Sequence, residues 1–96
     1  MSRDQKSNMS SKNEVMMYSS RMCPFCFRAK SLLGSKRAKV TEVMVDGAPG
    51  VRQEMMKKSG RHTVPQIWIG SRHVGGCDEL MALERKGQLD ALLGVE

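Results

Sequence analysis

Two cysteines separated by two residues, Cys23 and Cys26, are the residues of this chain best suited to covalent chemistry. Pro24 follows the first cysteine, and proline fits the first turn of a helix because its missing N–H would have no intrahelical partner there. A cysteine at a helix N-terminus faces free backbone N–H groups and the positive end of the helix dipole, which favour a negative sulfur. The spacing therefore predicts that Cys23 is an attacking thiolate and Cys26 a buried resolving thiol.

The main alternative for this cysteine pair is half of a zinc site. A structural zinc site usually has four ligands, and Cys77, His62 and His73 are the remaining candidates. No second closely spaced pair occurs in the sequence, so redox chemistry is favoured and no metal is expected. An odd number of cysteines, three, also argues against a disulfide-stapled secreted scaffold and predicts a cytoplasmic protein.

The elements that must position the cysteines follow from hydrophobic periodicity. Short β-branched or aromatic runs predict strands at 14–18, 40–45, 66–69 and 72–74. Helical spacing predicts helices at 24–35, 51–59 and 77–87, and a short final helix carrying Leu89, Leu92 and Leu93. A strand–helix–strand start implies a parallel crossover, and the two-residue turn at Gly70 and Ser71 implies a hairpin. The expected fold is α/β, a four-stranded mixed β-sheet flanked by helices in the order β-α-β-α-β-β-α.

Length and composition indicate one domain. Residues 1–13 contain no Leu, Ile, Val or aromatic residue and are expected to form a disordered N-terminal tail, which leaves 14–96 as the folded domain. A mitochondrial presequence is the open alternative for this tail. No apolar run is long enough to span a membrane, and the net charge of +6 is spread along the chain without an aromatic-rich RNA-binding motif. We expect a soluble monomer with no membrane or nucleic-acid partner.

Three motifs in register carry a resemblance to a known family. The stretches Cys23-Pro24-Phe25-Cys26, Thr63-Val64-Pro65 and Gly75-Gly76-Cys77-Asp78 resemble the signatures of dithiol glutaredoxins, in particular the small bacterial type with a third cysteine after the double glycine. The resemblance covers about residues 14–93. It implies a thioredoxin fold with a cis peptide bond between Val64 and Pro65. It also implies a glutathione-dependent thiol–disulfide oxidoreductase that reduces protein disulfides with both cysteines and glutathionylated proteins with Cys23 alone.

The same resemblance implies the partners and the binding residues. Glutathione is the expected co-substrate, with no tightly bound cofactor, and glutathione reductase with NADPH is the expected indirect partner. The implied glutathione contacts are Arg21, Phe25, Arg52, Arg61, Thr63, Val64, Pro65, Gly76, Cys77 and Asp78. Val64 is expected to receive the cysteinyl backbone of glutathione, and Cys77 and Asp78 its γ-glutamyl end. For Arg52 and Arg61 a surface cation is nearly as good an interpretation, and for Cys77 a packing role is favoured over a third redox thiol.

Two departures from the family pattern affect the binding edge. Phe25 stands where tyrosine is usual, and Ser20 stands where lysine is usual, so Arg21 is expected to supply the missing positive charge. An alternative function is a glutathione-ligated iron–sulfur cluster binding or transfer module, although Pro24 would crowd the space that a cluster needs. A further alternative is an electron donor recharged by thioredoxin reductase.

Overall fold

The computed structural model describes residues 13–94. Its elements in chain order are β1 (Val15–Ser19), α1 (Pro24–Ser35), β2 (Val40–Met44), α2 (Pro49–Ser59), β3 (Gln66–Ile69), β4 (Arg72–Gly75), α3 (Cys77–Arg85) and α4 (Leu89–Leu93). The predicted order of strands and helices is confirmed, including the short last helix. Within the described part of the chain, no helix is long and apolar enough to cross a membrane.

The four strands form one mixed sheet in the order β2-β1-β3-β4. β1 pairs in parallel with β2, with Val15 opposite Val40, and antiparallel with β3, with Val15 opposite Ile69. β3 and β4 form the predicted hairpin, which has an irregularity between Ile67 and Trp68. The two central strands are therefore β1 and β3, and their ends lead into the two loops that carry the candidate chemistry.

Alternation along the central strands divides the core between the two faces of the sheet, because successive strand side chains point to opposite faces. One face carries the larger cluster, with Met17 and Ile67 packed against residues of α1, α3 and α4 such as Leu33, Leu80 and Leu93. The other face carries Tyr18, Val45, Met55 and Trp68, which pack between the sheet and α2. The sheet is thus covered by helices on both faces, as predicted.

Several element boundaries differ from the sequence expectation by one or two residues, including those of β1, β2 and α3. α2 begins at Pro49 and not at 51, since a proline fits the first helical position, and it ends at Gly60, whose φ of +74° is left-handed. The fourth strand continues one residue further, because Gly75 still pairs with Ile67. The predicted tail at 1–13 lies outside the described residues except for Asn13, whose backbone N–H donates to the carbonyl of Leu93 at 3.0 Å.

Candidate active site

Cys23 occupies the N-cap of α1, directly after the loop that follows β1. Its backbone is extended (φ −131°), and its Sγ accepts the backbone N–H of Cys26 at 3.1 Å. The first turn of α1 contains no acidic residue, so no nearby carboxylate on that turn opposes a negative sulfur. The Sγ also lies 3.9 Å from the carbonyl oxygen of Val64. Cys23 is only half-buried, which leaves its sulfur accessible to an incoming disulfide.

Cys26 lies one turn further along α1, where its side chain is only 3% exposed. Burial, with a smaller contribution from the hydrogen bond to Cys23, raises the pKa of Cys26 to about 12. A backbone hydrogen bond from Ser20 opposes this shift, and the charges of Cys23 and Glu42 add to it. At neutral pH Cys26 is therefore a thiol.

The loop before β3 forms the second wall of the site. The Val64–Pro65 peptide bond is cis, as the resemblance implied. The buried side chain of Gln66 supports this loop, because its Nε2 donates to the carbonyl oxygen of Thr63 at 3.0 Å. The carbonyl of His62 is held in turn by Arg52, whose Nη1 donates to it at 3.0 Å.

The third wall is the turn from β4 into α3. Gly75 has a φ of +119°, a conformation that favours glycine, and a Cβ there would lie 2.9 Å from the Glu79 carboxyl carbon. A Cβ on Gly76 would lie 3.2 Å from the Pro65 carbonyl oxygen. The double glycine therefore lets the helix start approach the Val64–Pro65 loop closely.

These three segments line an open pocket of about 200 Å³. Cys23 is not itself among the lining residues, but its Sγ lies 3.9 Å from the carbonyl oxygen of Val64, which is. Most of the residues implied as glutathione contacts line it, namely Phe25, Arg61, Thr63, Val64, Pro65, Gly76, Cys77 and Asp78. Three separate stretches of sequence thus meet at one place. The resemblance named the members of this group, and only the fold brings them together.

Two of the implied contacts, Arg21 and Arg52, are not among the residues lining this pocket. The Arg21 Nε lies 3.6 Å from an oxygen of Asp46, and the side chain is 78% exposed. Asp46 also accepts the hydroxyl of Ser20 and the backbone N–H of Arg21, both at 2.7 Å. The loop before Cys23 is therefore organised around a carboxylate, and Arg21 is directed to that carboxylate.

Glu79 is a pocket residue that the sequence analysis missed. Its Oε1 accepts the backbone N–H of Gly76 at 2.8 Å, and its Oε2 lies 3.2 Å from Arg61 Nη1. The Gly76 hydrogen bond is the main cause that lowers the pKa of this carboxyl. An acidic side chain at the third position of a helix often accepts the backbone N–H of the N-cap residue, which is half of a capping box. The spacing of Gly76 and Glu79 was therefore the sequence signal that could have identified Glu79.

Cys77 is buried at the start of α3, with 5% exposure. Burial is the largest cause that raises its pKa, and Arg28 acts in the opposite direction. Its surroundings include core residues of α1 and α3. Both the packing role and contact with a ligand at the pocket wall remain compatible with this position.

Exposed apolar side chains lie before and after Cys23 at the start of α1. Met22 and Phe27 hold the two positions around a helix N-terminus whose side chains often pack together as a hydrophobic staple. Here both side chains are open to solvent, with Met22 92% exposed and Phe27 73% exposed. Phe25 is 54% exposed. The rim around the accessible sulfur is therefore apolar and open to solvent.

Within residues 13–94, no group of three or more His, Cys, Asp or Glu side chains is placed to hold a metal ion. His73 is instead tied to Gln66, with its Nε2 2.8 Å from the Gln66 Oε1. His62 contributes its carbonyl to the Arg52 contact. The residues considered for a zinc site are thus spread over different parts of the fold.

Comparison with known proteins agrees with this arrangement. A family model described as Glutaredoxin matches residues 15–74. A glutaredoxin of Pseudomonas aeruginosa is 56% identical over 79 residues, covering 82% of this chain and 94% of that protein. Glutaredoxin 3 of Escherichia coli is 52% identical over 79 residues, covering 82% of this chain and 95% of that protein.

Solved structures show the same fold. The solution structure of a Brucella melitensis glutaredoxin superposes with a TM-score of 0.76 at 51% identity, covering 88% of this chain and 91% of that one. A crystal structure of a buckwheat glutaredoxin–glutathione complex superposes with a TM-score of 0.79 at 29% identity, covering 94% of this chain and 86% of that one. The β-α-β-α-β-β-α arrangement is that of these proteins, a thioredoxin fold.

Proposed function

Since this chain belongs to the glutaredoxin family, we propose that it is a glutathione-dependent thiol–disulfide oxidoreductase in which Cys23 attacks and Cys26 resolves. The observation that carries the assignment of roles is the contrast between the two sulfurs. The Cys23 sulfur is accessible and accepts a helix N-terminal N–H at 3.1 Å, whereas Cys26 is buried with a pKa raised to about 12. A thiolate is the nucleophile in disulfide exchange, so the accessible, N–H-bonded sulfur is the one suited to attack.

The proposed reaction starts on a glutathionylated protein. The Cys23 thiolate attacks the glutathione sulfur, the protein–glutathione S–S bond breaks, and the protein leaves as a thiolate that takes up a proton. In the monothiol route a second glutathione thiolate attacks the glutathione sulfur bound to Cys23, which yields oxidised glutathione and restores the Cys23 thiolate. In the dithiol route Cys23 attacks a protein disulfide and stays bonded to one of its sulfurs. Cys26 then loses its proton and attacks the Cys23 sulfur, which forms the Cys23–Cys26 disulfide and releases the reduced protein. Two glutathione molecules reduce that disulfide in two successive exchanges and leave as oxidised glutathione.

The pocket supports glutathione as the co-substrate. The exposed carboxylate of Asp78 at the start of α3 suits an α-ammonium, and the Arg61 guanidinium suits a carboxylate. Backbone N–H groups at the same helix start provide a second place for a carboxylate. The Val64 backbone beside Cys23 suits the strand-like pairing of a short peptide. The tripeptide would then lie across the pocket with its sulfur toward Cys23.

For the two arginines outside the pocket lining we propose indirect roles. Arg52 fixes the carbonyl of His62 and so steadies the loop that contains Val64. Arg21 and Ser20 together fix Asp46, which shapes the loop before Cys23. At the position of Ser20, where the family usually has a lysine, this chain therefore has a loop ordered around Asp46 in place of a positive charge.

The physiological substrates are disulfide-bonded or glutathionylated proteins, and the apolar rim formed by Met22, Phe25 and Phe27 supports a protein as substrate. Glutathione is recycled by glutathione reductase with NADPH. The protein acts as a monomer in the cytoplasm and carries no resident cofactor.

Cysteine-to-serine substitutions test the assignment of roles. Cys23→Ser is expected to abolish both reactions, whereas Cys26→Ser should keep deglutathionylation of a glutathionylated peptide and lose reduction of a protein disulfide. The measurement is NADPH consumption coupled to glutathione reductase, with circular dichroism to check that each variant folds. Normal activity in Cys23→Ser would overturn the assignment.

A second measurement separates the glutathione-dependent enzyme from the thioredoxin-reductase alternative. The oxidised protein is offered NADPH with either glutathione and its reductase or thioredoxin reductase alone. We expect turnover with glutathione only. Against the cluster-binding alternative, Pro24 stands at the first position of α1, directly beside Cys23.

A further inference from the structure

Glu79 joins two segments of the pocket lining through its two carboxylate oxygens. Its Oε1 accepts the backbone N–H of Gly76 at 2.8 Å, and its Oε2 accepts from Arg61 Nη1 at 3.2 Å. Capping of α3 needs only the first of these contacts, and a glutamine at this position could make it equally well. Helix capping therefore does not explain the contact with Arg61 or the negative charge that makes it an ion pair.

The backbone of the double glycine fixes the place of this carboxylate. The Gly76 N–H holds one oxygen, and the missing side chain of Gly75 provides the space for it, since a Cβ there would lie 2.9 Å from Glu79 Oε1. The same hydrogen bond is the largest cause that lowers the pKa of Glu79, so the group is negative at neutral pH. Glu79 is thus an anion in a defined position at the wall of the pocket.

Arg61 combines a fixed backbone with a long side chain. Its N–H donates to Ser59 Oγ at 2.9 Å, and its carbonyl accepts from the same hydroxyl at 3.0 Å. The side chain is 45% exposed, and an arginine has many rotamers to choose from in water. Among the described residues, Glu79 is the partner of the guanidinium. An ion pair this exposed contributes little to stability, so its main consequence is that it selects one direction for the guanidinium.

The contact through Nη1 leaves Nε and Nη2 of Arg61 for a ligand. A guanidinium carries five N–H donors in a planar fork, so it can bind two carboxylates at different edges. Glutathione also has two carboxylates. The one at the γ-glutamyl end shares its carbon with the ammonium, so Asp78 and the N–H groups at the start of α3 are suited to take that end as a unit. The glycyl carboxylate then remains for Arg61.

We propose that Glu79 is a positioning residue that orients Arg61 toward the glycyl carboxylate of glutathione, and so sets the preference of the enzyme for a ligand with a carboxylate at that end. The proposal rests on the glutathione-dependent reaction assigned above. A side chain that is ordered before the ligand arrives does not have to be immobilised on binding, which removes part of the entropic cost. Repulsion between Glu79 and the glycyl carboxylate is the smaller effect, because the guanidinium would lie between them and water screens both.

Two mixed disulfides of one peptide test the role of Glu79. The cysteine of the peptide is bonded either to glutathione or to a glutathione whose glycyl carboxylate is replaced by a carboxamide. Reduced full-length protein, in excess and at a series of concentrations, is mixed with each disulfide, and the released peptide is measured by chromatography after an acid quench. Each series gives a limiting rate and a half-saturating concentration. The preference is the ratio of the two second-order rate constants, and no reductase is needed to measure it.

The variants separate the charge of Glu79 from its role as a helix cap. Glu79→Gln keeps an acceptor for the Gly76 N–H and removes the ion pair with Arg61. Arg61→Gln removes the guanidinium, and the double variant combines the two changes. The matched control is Glu84→Gln, because Glu84 is another ion-paired glutamate of α3, 2.9 Å from Lys36, and it lies outside the pocket lining. Circular dichroism and urea denaturation check that each variant folds.

The expected result is a preference that depends on both residues together. The wild type should prefer the glutathione disulfide by about tenfold, which is what one charge-assisted hydrogen bond contributes. Glu79→Gln should reduce this preference to about threefold, through a higher half-saturating concentration at an unchanged limiting rate. Arg61→Gln should show no preference, and adding Glu79→Gln to it should change nothing further. Glu84→Gln should match the wild type.

Several outcomes would overturn the inference. A stronger preference in Glu79→Gln would show that Glu79 competes with glutathione for Arg61. An equal loss of rate with both disulfides, or the same loss in the Arg61→Gln background, would show that Glu79 acts on the helix or on the ligand directly. A wild type that releases peptide equally fast from both disulfides would refute the inference and leave the proposed function intact. Release from neither disulfide would refute the proposed function itself.

Discussion

Gln66 offers a quantitative test of how the pocket wall is held. It is a polar side chain with 0% exposure, placed between the Thr63 loop and β4. Its amide nitrogen donates to the Thr63 carbonyl at 3.0 Å and lies 3.3 Å from the Thr63 hydroxyl, while its Oε1 lies 2.8 Å from His73 Nε2. Since the Gln66 amide nitrogen donates to Thr63, the atom of Gln66 that faces His73 is the oxygen, which accepts a hydrogen bond. His73 therefore carries a proton on Nε2. One buried amide thus links the wall of the pocket to the edge strand.

The perturbation is Gln66→Met, which keeps the length of the side chain and removes all its hydrogen bonds. A buried hydrogen bond contributes about 0.5–1.5 kcal/mol, and a buried group left without a partner costs about 1–3 kcal/mol. Two well-formed bonds are lost, and the apolar gain of methionine offsets part of the loss. We expect the free energy of unfolding to fall by about 2 kcal/mol, which corresponds to roughly 10 °C in Tm for a domain of this size.

Urea denaturation followed by tryptophan fluorescence measures this loss, since Trp68 lies in the core beside Gln66. The matched control is Gln53→Met, the same substitution at an exposed position of α2, which should change the free energy by less than about 0.5 kcal/mol. Gln66→Met should also raise the KM for glutathione, because Thr63 loses its support. A loss of less than about 0.5 kcal/mol at Gln66 would refute the reasoning that this buried amide needs its partners.

Two further predictions concern titration and reactivity. Burial is the largest cause that lowers the pKa of His73, and the charge of Arg61 is the second. An unfolded imidazole titrates near ~6.5, so below this pH the unfolded chain binds the proton more readily than the folded protein. The free energy of unfolding should therefore decrease as the pH falls below ~6.5. Urea titrations at pH 7.5 and 5.5 should show a smaller decrease for His73→Gln than for His62→Gln, and equal decreases would contradict this. Because burial raises the pKa of Cys26 to about 12 and also raises that of Cys77, limiting iodoacetamide at pH 7 should modify Cys23 alone. Peptide mass spectrometry checks the site, with all three cysteines reacting in guanidinium, and early modification of Cys26 would count against the contrast between the sulfurs.

Much of the architecture could be predicted from the sequence because the signals are local. Alternation and β-branched residues marked the strands, Pro24 marked the start of α1, and Gly60 marked the end of α2. The sequence prediction starts α2 two residues late, since Pro49 is itself a helix-starting residue. Three short motifs also named most of the residues that line the pocket.

The sequence by itself determined the reactive pair, because a cysteine followed by a proline and a helical pattern has its environment set by the helix terminus. Only the tertiary structure decided where the charges act. Arg21 pairs with Asp46 and Glu79 caps the helix that begins after Gly76. Glu42 on β2 accepts from Ser19 on the neighbouring strand and from Lys30 on α1. These contacts join residues whose partners depend on strand register and helix packing, and no local pattern encodes them.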